Sequence, residues 1–390
     1  MYDITAKTLA GLEEILAQEL AEMGAQEIKL GYRAVFFKGD DTILYKANLL
    51  CRTALKILKP IKTFPVIDEH DLYEKVKKIN WLEYISLNDT FRVDATTSSD
   101  NFNHSQFVAL KVKDGIADFF REKTEKRPSV DTFRPNLRVD VHILNDKCTI
   151  SIDSSGESLY KRGYKTKANL APMSEVLAAG LILLTGWRGE TDFYDPMCGS
   201  GTLLVEAAMI AHNIPAGYYR KEFGFELWRD FDRELWAEVF TEAERKIKRP
   251  DIKIQGSDME WDAIKISKSN IANAKLSEYI EVKKFPFEIS KPSEDKAIVV
   301  MNPPYGERMQ KEDIFAFYKS IGDKLKADYL NKDIWILTCN MEALKAIGLK
   351  TSRRIDMKNG NLDCKFVKYE VYKGSKKGKY MNNSDSETQE

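Results

Sequence analysis

The sequence predicts an α/β protein in which a doubly wound, Rossmann-like domain follows smaller α+β modules. Three observations favour this organisation. In the second half of the chain, apolar strand-like runs alternate with amphipathic helical patterns, as a parallel sheet requires. A glycine-rich turn, Pro196 to Thr202, joins the first of those strands directly to a helix. In the first half, strands and helices follow the order of a ferredoxin-like unit.

The bulk composition is that of an ordinary globular chain. Its 390 residues suffice for two or three domains, and 43% of them are hydrophobic. Lys plus Arg equals Asp plus Glu, at 60 each, which excludes a histone-like polycation and leaves nucleic-acid binding to local basic patches. Five scattered cysteines and four histidines show no metal-ligand spacing, and the cysteines argue against a disulfide framework. With no signal peptide or membrane span in the pattern, we expect a cytoplasmic protein without a metal.

The first module opens with a short strand at 2–5 and a helix whose leucines recur at helical spacing. Gly24 suits the left-handed position that ends such a helix. Two strands about Gly31, a helix over 41–50 and a closing strand complete the pattern. This β-α-β-β-α-β order predicts a ferredoxin-like unit.

The second module combines helices with a strand hairpin around Asn145. Its predicted elements are helices over 68–78 and 104–122 and strands over 91–96, 139–143 and 148–153. On the long helix, the side chains expected to face the core are Phe107, Leu110, Ile116, Phe119 and Phe120.

Basic residues gather on and after that long helix. They are Lys111, Lys113, Arg121, Lys123, Lys126, Arg127, Arg134 and Arg138. Cationic side chains in such a group are suited to contact RNA phosphates. A solvated helix end is the alternative interpretation.

The third part carries the doubly wound pattern, starting with a helix that begins near Pro172. Its predicted strands cover 191–195, 252–258, 280–285, 297–300 and 333–338, with an antiparallel pair at 353–355 and 364–371. Its predicted helices cover 203–211, 263–274 and 314–325. An aromatic insertion, 215–231, and an amphipathic helix over 231–248 interrupt this pattern after the first strand–helix unit. The polar end of the chain, from about residue 374, lacks apolar residues and is predicted to be disordered.

Three predicted strands end in polar residues: Asp195, Asp258 and Asn302. Because ligands of open α/β sheets bind outside the carboxyl ends of the strands, we expect these residues to share a site. Gly199 and Gly201 let the backbone approach a ligand, and the following helix start offers free N–H groups. The turn matches neither a nicotinamide fingerprint nor a phosphate loop, but a helix start beside an acid suits S-adenosylmethionine. Asp258 either accepts ribose hydroxyls or caps the next helix.

The stretch after the fourth strand reads Asn302-Pro303-Pro304-Tyr305. The prolines hold the backbone rigid at the strand end. An amide oxygen, a free carbonyl and a flat ring in one place suit a planar group that carries an amine. The alternative is a proline-stiffened turn without a ligand.

These two motifs carry a resemblance to a known family. The turn from Asp195 to Thr202, together with Asn302 to Arg308, resembles class I S-adenosylmethionine-dependent methyltransferases acting on exocyclic amines. More narrowly, the chain is similar to the bacterial THUMP-domain RNA methyltransferases that make N2-methylguanosine in 23S ribosomal RNA. The Arg162-Gly163-Tyr164 connector and the helix over 171–179 share the resemblance, which extends over about residues 1 to 373.

The resemblance implies a role for each matching residue. Cofactor binding falls to Asp195, Pro196, Cys198, Gly199, Ser200, Gly201, Thr202, Asp258, Met259 and Asn302. Catalysis falls to Asn302, Pro303, Pro304 and Tyr305, with Asn302 and the Pro303 carbonyl accepting the hydrogens of the guanine amine and Tyr305 stacking on the base. The family often has an acid after the third strand, where this sequence has Phe285-Pro286-Phe287, so that adenine contact is in doubt.

The resemblance also implies domain limits and partners. The limits are 1–60 for a ferredoxin-like domain, 61–160 for a THUMP RNA-binding domain, 161–373 for the methyltransferase domain and 374–390 for a disordered tail. The partner is structured RNA, ribosomal RNA above all, and a monomer is favoured. Other amine substrates stay open, namely tRNA guanine, DNA adenine or cytosine and protein glutamine. A non-catalytic RNA-binding assembly factor is the alternative from another class.

Overall fold

The computed structural model describes residues 1–165, 173–292, 296–304 and 311–371. Pro172, Tyr305 and the predicted tail lie outside these residues, whereas the helix predicted near Pro172 begins within them, at Glu175. The chain forms two compact units. The N-terminal unit contains Met1–Gly163 and Ile214–Ile247, and the C-terminal unit contains Tyr164–Asn213 and the chain from Lys248 onward.

The elements alternate along the chain much as the sequence predicts. The strands are β1 Tyr2–Thr8, β2 Gln26–Gly31, β3 Ala34–Gly39, β4 Ala54–Pro65, β5 Thr90–Ser98, β6 Ser129–Val130, β7 Leu137–Leu144, β8 Lys147–Asp153, β9 Asp192–Asp195, β10 Ile254–Asp258, β11 Ile280–Lys284, β12 Ala297–Met301, β13 Asp333–Thr338, β14 Arg353–Asn359 and β15 Leu362–Glu370. The α-helices are α1 Glu13–Glu22, α2 Asp41–Leu50, α3 Glu69–Lys77, α4 Ser105–Thr124, α5 Glu175–Leu184, α6 Thr202–Ala211, α7 Arg233–Arg245, α8 Trp261–Asn273, α9 Lys311–Asp328 and α10 Met341–Ala346. Within the described residues no helix is long and apolar enough to cross a membrane.

The N-terminal unit is built on one sheet with the strand order β2-β3-β1-β4-β8-β7-β5-β6. Its first four strands have the order and antiparallel pairing of a ferredoxin-like unit, as predicted. The sheet continues because β4 runs on to Pro65 and pairs with β8. Pro60 lies at the irregularity in this pairing, where a residue without an N–H is tolerated.

Helix α4 packs on this sheet through a narrower apolar stripe than predicted. Ile116, Phe119 and Phe120 are buried, as expected. The prediction was wrong for Phe107 and Leu110, which are 44% and 47% exposed. The buried stripe runs through Val108, Val112, Gly115 and Ile116, and Phe107 and Leu110 lie to one side of it.

The aromatic insertion completes the core of the N-terminal unit. The ring of Phe225 stacks on Tyr45 of α2 with centroids 4.4 Å apart, and Trp236 of α7 meets the same ring edge-on at 5.1 Å. Arg220 anchors the aromatic insertion by donating hydrogen bonds to four backbone carbonyls between residues 155 and 161. The segment that interrupts the doubly wound pattern therefore belongs structurally to the front of the chain.

The C-terminal unit contains a sheet with the order β11-β10-β9-β12-β13-β15-β14. Strands β9 to β13 pair in parallel, while β15 is antiparallel to both β13 and β14. The doubly wound fold with its closing antiparallel pair is thus confirmed, whereas α10 was not predicted. The β13–β15 register also brings Cys339 to Cys364, and the two form a disulfide, so the cysteine spacing was misleading for this pair.

Candidate active site

The glycine-rich turn of the C-terminal unit follows Asp195 at the carboxyl end of β9. Its backbone is tightly held, since Cys198 donates its N–H to the Ser257 carbonyl at 2.9 Å and Gly201 donates to the Cys198 carbonyl at 2.7 Å. Gly201 has φ +76°, and a Cβ at this position would lie 3.0 Å from Cβ of Ser267. A side chain there would strain the turn. Helix α6 starts immediately afterwards, so its first N–H groups lie at the carboxyl edge of the sheet.

Asp258, at the end of the neighbouring β10, is bonded to this turn. One carboxylate oxygen accepts the N–H of Gly199 and the other the N–H of Glu260, both at 2.9 Å. Helix α8 begins after Glu260, so Asp258 does not occupy its N-cap position. A carboxylate has about four acceptor sites, and two hydrogen bonds leave capacity for hydroxyl donors.

Two buried groups, one just before the turn and one within it, have raised pKa values. Burial raises the pKa of the Asp195 carboxyl to about 8, an effect that the N–H of Met197 opposes and the charge of Asp258 reinforces. Burial also raises the pKa of the Cys198 thiol well above its usual range. Cys198 therefore stays protonated, which fits a packing residue and not a nucleophile.

Buried side chains form hydrogen bonds to the backbone carbonyls of the turn. The Ser257 hydroxyl donates to the Pro196 carbonyl at 3.4 Å, so its oxygen accepts the hydrogen of the Tyr194 hydroxyl, 2.9 Å away. On the other side, the Asn270 side chain donates to the Ser200 carbonyl at 3.0 Å. None of these three side chains was predicted, although each of Tyr194 and Ser257 directly precedes a predicted strand-end acid.

Asn302 follows β12, the strand between β9 and β13. Val299 pairs with Tyr194, so Asn302 lies just beyond the level of Asp195 at the same edge of the sheet. Its Oδ1 atom is buried and has no hydrogen-bond partner among the described residues. An unpaired buried acceptor costs about 1–3 kcal/mol, which is tolerable where a ligand supplies the donor. Pro303 is buried and Pro304 is exposed.

The loop after β11 forms the adjoining part of this edge. The N–H of Phe285 donates to the Asp258 carbonyl at 3.0 Å, while the Phe285 and Met259 side chains are exposed. Phe287 instead turns into the core, with its ring 6.0 Å from that of Tyr329. Phe287 is thus a packing residue.

The eight predicted RNA-binding residues all lie in the N-terminal unit, but several have acidic partners there. Lys113 pairs with Asp114, Arg121 with Asp118 and Arg134 with Glu222, at 2.6–3.0 Å. The remaining residues are Lys111 over the Phe107 ring, Arg138 bonded to a carbonyl, and the exposed Lys123, Lys126 and Arg127. The surface is therefore a mixed one, and its exposed cations that have no acidic partner among the described residues lie in the last turn of α4 and just after it.

Comparison with known protein families shows to which family the chain belongs. Residues 162–368, more than half of it, match the RMKL-like methyltransferase domain. The chain belongs to the RMKL-like methyltransferase family. Ahead of this domain, residues 66–153 match the THUMP domain and residues 3–58 the RlmL ferredoxin-like domain. The predicted fold class and family resemblance are confirmed.

Individual relatives of this RMKL-like methyltransferase match nearly all of its length. A Synechocystis protein named "Putative RNA methyltransferase" is 38% identical over 372 residues, covering 94% of this chain and 96% of that protein. The "Ribosomal RNA large subunit methyltransferase K/L" of Photobacterium profundum is 36% identical, but this chain spans only 54% of its length. A solved "putative methyltransferase complexed with SAH" has a TM-score of 0.85 at 27% identity, covering 96% of this chain and 99% of that one.

The site fits the cofactor of this family, S-adenosylmethionine. The turn presents helix N–H groups, Asp258 has spare acceptor capacity for hydroxyls, and the buried Asp195 carboxyl suits a cationic neighbour. The RMKL-like methyltransferase therefore uses S-adenosylmethionine.

Proposed function

We propose that this chain transfers a methyl group from S-adenosylmethionine to the exocyclic N2 amine of a guanine in large-subunit ribosomal RNA. The observation that carries the proposal is the buried Oδ1 of Asn302, which has no hydrogen-bond partner among the described residues and lies at the strand end beside the glycine-rich turn. The THUMP match and the names of the two relatives support an RNA substrate.

Asn302 would act by orienting the amine. S-adenosylmethionine supplies an electrophilic methyl group on a sulfonium. The guanine amine is a weak nucleophile because its lone pair is delocalised into the ring. Asn302 Oδ1 and the Pro303 carbonyl would accept its two hydrogens and turn the lone pair out of the ring plane, so the effect is one of position and electrostatics. The surplus proton leaves to solvent after the transfer, and the site needs no strong base.

The cofactor roles follow the positions of the residues around the turn. Asp195 and the turn Pro196 to Thr202 would hold the methionine part, with the first N–H groups of α6 facing it. Asp258 would accept ribose hydroxyls with the lone pairs that Gly199 and Glu260 leave free. Met259 would pack near the adenine, and Tyr305 would stack on the flipped base and partly offset its unstacking, which costs about a few kcal/mol.

The test is transfer of labelled methyl groups to several acceptors. Unmodified 23S rRNA, tRNA and DNA are incubated with the protein and labelled S-adenosylmethionine, and digested nucleosides are identified by mass spectrometry. The proposal expects N2-methylguanosine in 23S rRNA. Label in DNA adenine or in tRNA would contradict the substrate assignment, and cofactor binding without transfer to any acceptor would favour an assembly factor.

A further inference from the structure

The loop after β6 in the N-terminal unit presents an aromatic ring to solvent. Phe133 is 85% exposed, more than any other large hydrophobic side chain in the part of the chain that the structure describes. A single exposed apolar residue needs no explanation by itself. Phe133 differs from an ordinary exposed residue because the backbone of its loop is fixed by hydrogen bonds.

The backbone of this loop is fixed by three charged side chains. Asp131 Oδ1 accepts the N–H groups of Phe133 and Arg134 at 2.8 and 3.1 Å. Arg92 donates to the Thr132 carbonyl at 2.7 Å, and Arg138 donates to the Phe133 carbonyl at 3.0 Å. The ring therefore stands on a preorganised turn, which lowers the entropy lost when a ligand covers it.

Three arginines contact or belong to the loop of Phe133, among acidic residues. Arg92 also pairs with Asp94 at 2.7 Å, Arg134 forms an exposed pair with Glu222, and Arg138 donates to the Phe133 carbonyl. Lys126 and Arg127 are exposed a few residues earlier. An aromatic face bordered by arginines fits a nucleobase stacked on the ring with its phosphates beside the guanidinium groups.

We infer that Phe133 is a stacking platform for an unpaired base of the RNA. This inference rests on the proposed function, because it takes RNA as the substrate, and it adds a binding site remote in sequence from the methyl-transfer residues. Asp131, Arg92 and Arg138 are positioning residues for the ring. A base inside a duplex has no free face, so the platform selects single-stranded segments.

The experiment measures binding of the full chain to two RNA probes, a mixed-sequence single strand and a perfect duplex of equal length. Phe133→Ala weakens single-strand binding by about ten-fold, as expected for loss of one base–aromatic stack. Phe133→Tyr retains wild-type affinity, and Phe133→Leu behaves like alanine because an aliphatic side chain has no π face. Tyr32→Ala is the matched control, since Tyr32 is 81% exposed in the same unit.

Phe133→Trp adds a direct readout, because a stacked base quenches indole fluorescence. The inference expects quenching by the single strand and little by the duplex. Equal losses on both probes, equal effects of Phe133→Ala and Tyr32→Ala, or no quenching would overturn it. These binding measurements do not depend on methyl transfer. Absence of N2-methylguanosine with the wild-type chain would refute the proposed function, whereas the stacking inference is decided by the binding measurements.

Discussion

The buried carboxyl of Asp195 predicts a specific dependence of stability on pH. In the cofactor-free protein, burial raises the pKa of Asp195 from 3.8 to about 8. A group whose pKa is raised in the folded state stabilises the fold below its unfolded pKa, and that contribution is lost as pH rises toward the folded pKa. Between pH 5 and pH 7 the folded protein holds this proton and the unfolded chain does not.

The isosteric change Asp195→Asn isolates this effect, because it mimics the protonated acid at every pH. A difference of one bound proton changes the free energy of unfolding by about 1.4 kcal/mol per pH unit. The free energy of unfolding of the wild type should therefore fall by about 2.7 kcal/mol relative to that of the variant between pH 5 and pH 7. Urea unfolding of both proteins without cofactor, at half-unit pH steps, measures the difference. Parallel stability curves for the two proteins would refute the argument that Asp195 is protonated in the folded state.

Further predictions concern the turn and the basic surface. Gly201→Ala forces a side chain to φ +76°, 3.0 Å from Ser267, and should cost about 1–2 kcal/mol of stability and weaken cofactor binding by calorimetry; unchanged affinity would contradict the tight-turn argument. Tyr194→Phe removes the donor to Ser257, and we expect about 1 kcal/mol weaker cofactor binding with little change in the RNA Kd; loss of both would indicate general unfolding. Charge reversal of basic residues within 121–138 should weaken RNA binding regardless of sequence and flatten its salt dependence, whereas a change confined to cofactor affinity would exclude a docking role.

The sequence predicts most of the architecture because periodicity and turn chemistry are local. The order of strands and helices, the glycine turn and the closing antiparallel pair follow from patterns within about ten to twenty residues. The departures depend on tertiary contacts. β4 is longer than predicted because its second half pairs with β8, and 214–247 joins the front of the chain because its aromatic rings complete the core around Tyr45.

The residues of the candidate site likewise fall into those that the sequence predicts and those that depend on tertiary contacts. Asp195, Asp258 and Asn302 were predicted because parallel strands end at one edge of a sheet, and the structure places all three there. The bond between Tyr194 and Ser257 depends on the β9–β10 register and joins residues 63 positions apart. No local pattern reveals such a contact. The orientation of Phe107 likewise depends on which stripe of α4 meets the sheet.

The most direct test of the central claim, that Asn302 orients the guanine amine, compares Asn302→Ala with the wild type in one assay. Methyl transfer to unmodified 23S rRNA is followed by nucleoside mass spectrometry, and S-adenosylhomocysteine affinity is measured on the same preparations. We predict N2-methylguanosine with the wild type and none with Asn302→Ala. Cofactor affinity should stay within about two-fold, because the amide oxygen has no hydrogen-bond partner to lose among the residues that the structure describes. Wild-type turnover by Asn302→Ala would contradict the account.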